Sequence, residues 1–158
     1  AVIFDRSGFT LADSASSAAS VVEVWGRYGI EPSISVAMID VESNFNPKAV
    51  SVSGALGLMQ IIPSTGRFLS AAHGQEWCES MLYVPEKSIM FGGYYLSCLK
   101  KDFEGKVSNA NLYNTALTAY NYGPSYVYKN LKDGDVISDY SAKVLKKAEY
   151  YIREHGLL

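Results

Sequence analysis

Apolar residues recur along most of this chain at spacings of three and four, the signature of helices that bury one face. Ala15, Ala18, Ala19, Val22 and Trp25 line up on one side of a helix expected from about Ala12 to Tyr28, ended by Gly29. Pro32 and Ser33 open a second, in which Ile34, Ala37, Met38 and Val41 share a face and Glu42 stands beside it in the last turn. Asn46-Pro47 then stops the chain from continuing as helix, because a residue before proline is pushed out of the helical region. The stretch to Ile61 is irregular and rich in serine and glycine. Pro63-Ser64-Thr65 starts a short helix to about Ala72, and 73–78 read as loop.

Pro85 sits near the start of a longer helix to about Phe103, whose face of Ile89, Gly92, Gly93, Leu96 and Leu99 lets another backbone come close at its paired glycines. A polar connection over 104–112 leads to a helix carrying Tyr113, Ala116, Leu117 and Tyr120, ended by Asn121-Tyr122-Gly123-Pro124. A short helix follows from about Ser125 to Leu131. Lys132-Asp133-Gly134-Asp135 reads as a turn and lacks the ligand spacing of a calcium loop. The last helix, Ser138 to about His155, brings Tyr140, Val144, Ala148 and Tyr151 together and leaves Lys143, Lys146, Lys147 and Arg153 on a solvated side. Residues 1–10 show no period and are left as an N-terminal arm. The pattern therefore predicts one domain over 1–158, mainly α. About seven or eight helices surround a groove, with at most a small irregular β region near 48–61.

Composition narrows the function. At 158 residues, with 48% hydrophobic and 19% charged side chains, the chain suits a single globular domain. Its apolar runs are far shorter than a transmembrane segment requires. Fourteen basic against sixteen acidic residues give a net charge of -2, so no broad cationic surface draws it to nucleic acid. Twelve tyrosines are a large share for this length, and tyrosine suits grooves that stack on sugar rings and bond their hydroxyls. His73 and His155 are the two histidines and form no ligand pattern with other residues, so neither metal nor cofactor is expected.

Chemistry gathers around Glu42. A carboxyl set against apolar packing holds its proton to higher pH, as a general acid requires. The strings Glu42-Ser43, Ser51-x-Ser53-Gly54, Gly57-Leu58-Met59-Gln60-Ile61 and Ala119-Tyr120-Asn121-Tyr122-Gly123-Pro124 occur in the order and rough spacing of the soluble lytic transglycosylase-like (SLT) catalytic domain. From about Tyr28 to Tyr151 the chain resembles that family, which has a lysozyme-like α+β fold.

The resemblance implies cleavage of the β-1,4 bond between N-acetylmuramic acid and N-acetylglucosamine in peptidoglycan, with closure of a 1,6-anhydro ring and no attacking water. It assigns Glu42 as acid and then base, and makes Ser43, Ser51, Ser53, Met59, Gln60, Tyr120, Asn121 and Tyr140 the residues around the substrate. Met59 would be an apolar wall, and Tyr140, ahead of Lys143-Val144, would point its hydroxyl at the glutamate. The sequence departs from the commoner family pattern at Tyr122, where a small residue is usual, at Ser125, where glycine is frequent, and at Ser88, where asparagine is frequent.

The resemblance also implies an exported protein, periplasmic or associated with the cell wall. The chain begins at Ala1 without a basic-then-apolar leader, as a mature form would. Peptidoglycan glycan strands are the expected partner, with recruitment to a wall-spanning apparatus as a further one. In such a compartment Cys78 and Cys98 form either one disulfide or two separate buried thiols. Two other functions compete: a hydrolytic muramidase, which needs a second acid for which Asp40 is the nearby candidate, and a non-catalytic glycan-binding module.

Overall fold

A computed structural model describes residues 9–131 and 136–157 of the chain. Most of the N-terminal arm and the Lys132-Asp133-Gly134-Asp135 turn lie outside these residues. Seven α-helices are described: α1 (Leu11–Tyr28), α2 (Pro32–Ser43), α3 (Pro63–Ala72), α4 (Pro85–Phe103), α5 (Leu112–Tyr122), α6 (Pro124–Asn130) and α7 (Asp139–His155). The mainly helical prediction is met. The irregular segment between α2 and α3 contains two isolated β-bridges, Val50 with Leu56 and Leu56 with Ile61. Two short 3-10 turns are described, Glu79–Tyr83 just after the expected 73–78 loop and Asn109–Asn111 within the expected 104–112 connection.

Local chemistry sets the helix ends. Thr10 caps α1 by accepting from the Asp13 amide while the Asp13 carboxylate accepts from Thr10. Ser138 caps α7 in the same reciprocal way with Ser141. Prolines fill the first position of α2, α3, α4 and α6, where a missing N–H costs nothing. Helix α2 ends earlier than Asn46-Pro47 suggested: Asn44 takes a left-handed conformation (φ 49°) and its N–H reaches back to the Asp40 carbonyl. Asparagine adopts that conformation at lower cost than most residues, so it ends the helix before proline has to.

Helix α2 is buried from Pro32 through Ile39, on every side and not only on the predicted face. It packs against α1 and α7, while α4 packs against α1 and α5, and α5 against α7. The Tyr113 hydroxyl of α5 donates to the Glu31 carboxylate at the start of α2. At the junction with α7, Asp40 accepts from the Tyr151 hydroxyl (2.8 Å) and pairs with Lys147 (2.8 Å).

The predicted face of α1 is wrong. Val22 and Trp25 are exposed, whereas Ser14, Ser17, Val21 and Val24 are buried. Small residues do form the seam, but they are serines, and the reason lies on α4. A Cβ on Gly93 would fall 2.4 Å from Val24, so α1 turns Val24 into the space that this glycine leaves. On the same helix a Cβ on Gly92 would fall 2.6 Å from Met59, which seats the irregular segment against α4.

Cys78 and Cys98 are both free, and the candidate disulfide is not formed. The exposed Cys78 sulfur lies 3.0 Å from the Ser80 hydroxyl on its own loop, while Cys98 is half-buried on α4. Among the described residues no helix is long and apolar enough to cross a membrane, and no three His, Cys, Asp or Glu side chains gather where they could hold a metal ion.

Candidate active site

Glu42 is placed by the last turn of α2, at the floor of a cavity of about 390 Å³. The irregular segment supplies Ser51, Ser53 and Gln60 to the lining, and the end of α5 supplies Tyr120, Asn121 and Tyr122. A second cavity of about 530 Å³ shares Glu42, Ser51 and Gln60 with the first and is also lined by Asp40, Ser43, Lys143 and Lys147. Glu42 therefore borders both cavities.

The Glu42 carboxyl has a pKa pushed up to about 7 from the ordinary 4.5, because burial removes water that would solvate its charge. Its position at the negative end of the α2 dipole acts in the same direction. The Tyr140 hydroxyl opposes this by donating 2.5 Å to Oε1, a bond that favours the ionised form, but the loss of solvation is larger. Tyr140 itself is kept neutral, its pKa raised well above 10 by burial and then by the neighbouring Glu42. With Oε1 taken, Oε2 is the oxygen left to carry a proton.

The irregular segment is held rigidly in place. Gln60 has a left-handed backbone (φ 48°), rare for a side chain of its size, and its amide nitrogen donates to the Gly57 carbonyl (2.9 Å) and the Ala49 carbonyl (3.3 Å). Gly57 (φ 75°) lies so close to the 79–83 turn that a Cβ there would fall 1.8 Å from the Leu82 carbonyl oxygen. Ser88 of α4 accepts from the Met59 N–H at 3.1 Å, and the Tyr120 hydroxyl donates to the Met59 carbonyl at 2.8 Å. Ser51 accepts from the Ala55 N–H and shares a 2.9 Å contact with the Ser53 hydroxyl.

Most of the residues singled out in the sequence come together here. Glu42, Ser51, Ser53, Gln60, Tyr120 and Asn121 line the first cavity, and Tyr140 touches Glu42 from α7. Two do not join them. Met59 is in the core, 1% exposed, filling the space above Gly92, so it is not a wall of the groove. Ser43 donates back to the Ile39 carbonyl of its own helix (3.0 Å) and borders only the second cavity.

Sequence reasoning passed over Tyr95, which lines the first cavity with its ring 5.3 Å from that of Tyr120. The signal was its position one helical turn after Gly92. Because Gly92 backs onto Met59, the next residue on that face reaches the site. Glu42 is the only carboxylate in the first cavity among the described residues, and the nearby Asp40 is engaged by Tyr151 and Lys147.

A helical fold with a buried carboxyl in a cavity lined by tyrosines matches a known class. The model of the Transglycosylase SLT domain family matches residues 21–138, and the chain belongs to that family. Over 107 residues it is 40% identical to the membrane-bound lytic murein transglycosylase C of Actinobacillus pleuropneumoniae (strain L20), matching 65% of this chain and 29% of that protein. Over 108 residues it is 43% identical to the protein of the same name from Pectobacterium atrosepticum, matching 65% of this chain and 30% of that one. The chain thus spans less than a third of the length of these relatives.

Among solved structures, it resembles an inactive glutamate-to-glutamine mutant of the lytic transglycosylase Slt from Pseudomonas aeruginosa, with a TM-score of 0.74 and 29% identity over 87% of this chain and 24% of that one. The 70-kDa soluble lytic transglycosylase of Escherichia coli aligns with a TM-score of 0.69 and 27% identity, over 85% of this chain and 24% of that one.

Proposed function

We propose that this domain is a lytic transglycosylase that cleaves the β-1,4 bond between N-acetylmuramic acid and N-acetylglucosamine in peptidoglycan, with Glu42 acting as acid and then as base. The observation that carries the proposal is a buried carboxyl with a pKa of about 7 that is the one carboxylate lining the first cavity among the described residues. Membership of the SLT family supports it, as does the inactivity of a structural neighbour bearing a glutamate-to-glutamine change.

In the first step Glu42 gives its proton to the bridging oxygen, the C1–O bond breaks, and the N-acetylglucosamine side leaves with a hydroxyl. The acetamido group of the muramyl residue stabilises the positive charge developing at C1. In the second step the Glu42 carboxylate takes the proton of the C6 hydroxyl as its oxygen bonds to C1, closing the 1,6-anhydro ring and restoring the acid. No water is consumed. Tyr140 orients the carboxyl throughout through Oε1, Asn121, Ser51 and Ser53 supply amide and hydroxyl groups to the sugars, and Tyr120, whose hydroxyl is held by the Met59 carbonyl, contributes its ring.

Hydrolysis would require a second acid to activate water across the sugar ring. Asp40 is the obvious candidate; it borders the second cavity beside Glu42, but its carboxylate is held by Tyr151 and Lys147 of α7. The reading carries an exported location with it, since the substrate is the cell wall.

Mass spectrometry of products from purified sacculi tests the proposal. Muropeptides ending in anhydro-muramic acid, one water lighter than the hydrolysed form, are expected, and Glu42→Gln should abolish them. Exclusively reducing-end products, or equal clearance by the variant, would refute it.

A further inference from the structure

Tyr122 departs from the family pattern at the rim of the groove, and the structure gives it a distinctive setting. It is the last residue of α5, and Gly123 (φ 85°) and Pro124 then redirect the chain into α6. That turn brings Tyr126, four residues on and in a different helix, onto Tyr122. Their rings stack with centroids 4.9 Å apart and planes 28° from parallel. Both side chains are nevertheless open to solvent, Tyr122 by 52% and Tyr126 by 43%. Tyr122 lines the cavity that holds Glu42 and Tyr126 does not, so Tyr126 backs a ring whose other surroundings include the groove.

An exposed aromatic ring needs a reason to be held in one orientation. Stacking on Tyr126 removes rotational freedom from Tyr122 before any ligand arrives, which lowers the entropic cost of binding against it. A flat, pre-oriented ring with a polar edge suits the apolar C–H face of a pyranose, while the phenol remains available to a sugar hydroxyl. Tyr95 and Tyr120 lie further along the lining of the same cavity, their rings packed on each other.

We infer that Tyr122, backed by Tyr126, is a stacking platform for a pyranose ring of the glycan strand. It would set how firmly the groove grips a strand away from the bond being cleaved. The inference rests on the glycan-cleaving reading of the same groove, and it concerns grip and not proton transfer.

Two measurements on the full chain separate its failure from that of the parent reading. The first is binding of N-acetylglucosamine oligomers of increasing length, by calorimetry in the Glu42→Gln background, where cleavage cannot interfere. Adding Tyr122→Ala should weaken binding of the longer oligomers about three- to ten-fold, while Tyr122→Phe and Tyr122→Trp should retain it. The second is turnover of glycan strands by proteins with Glu42 intact, where Tyr122→Ala should raise KM by a similar factor and leave kcat within about two-fold.

Unchanged affinity and KM in Tyr122→Ala would overturn the platform while leaving the cleavage reading intact. Binding that depends on Tyr122 in a protein that forms no anhydro product would do the reverse. Absence of binding to every oligomer by the parent protein would sink the platform. Matching thermal melts across the variants, expected because the side chain is exposed, ensure that a loss reflects the ring and not the fold.

Discussion

At Glu42 the proposed catalysis and stability pull in opposite directions. The folded carboxyl keeps its proton up to about pH 7, whereas in the unfolded chain it releases it near 4.5. Between those values the folded state binds more protons, so the contribution of Glu42 to stability falls as pH rises through the window. Glu42→Gln should therefore match the parent near pH 4 and exceed it in stability by up to about 3 kcal/mol at pH 8, as denaturant unfolding at the two pH values would measure. The same titration sets the alkaline limb of the rate profile: kcat should fall above about pH 7 as the acid loses its proton. Tyr140→Phe removes the bond that favours the ionised form, so it should lower kcat and move that limb to higher pH. Glu42 was marked in the sequence by the apolar helical face beside it together with the ordered family strings around it. Its partner was legible only through the family resemblance, since the 98 residues separating it from Tyr140 carry no local signal.

Among the elements, the irregular segment after α2 bears most directly on the site. Its left-handed Gln60 and its contact with the 79–83 turn through Gly57 fix where Ser51, Ser53 and Tyr120 stand. Gly57→Ala should cost about 3–5 kcal/mol, because a methyl group would meet the Leu82 carbonyl and the backbone is left-handed; thermal denaturation would register it. The helices were readable from periodicity, and the boundaries set by proline and by capping serines fell within a residue or two of expectation. What periodicity misjudged was α1. Alanine and serine bury equally well in a close seam, so the hydrophobic pattern pointed to Ala15 and Val22 while Gly93, distant in sequence, drew in Val24, and Ser17 was buried with it. Met59 failed as a groove residue for a related reason: the space above Gly92 drew it inward.

For the molecule as a whole, the mainly helical fold was foreseen from the sequence. The state of Cys78 and Cys98 was not, because pairing depends on where two side chains meet in space. Adding dithiothreitol should leave the melting temperature unchanged, whereas a clear drop would mean that a bridge exists. A fold closed entirely by packing and hydrogen bonds needs no oxidant to mature, so protein made in a reducing cytosol and protein refolded in air should be the same object. The solvent-facing sulfur of Cys78 then becomes a convenient anchor for a fluorescent or spin label.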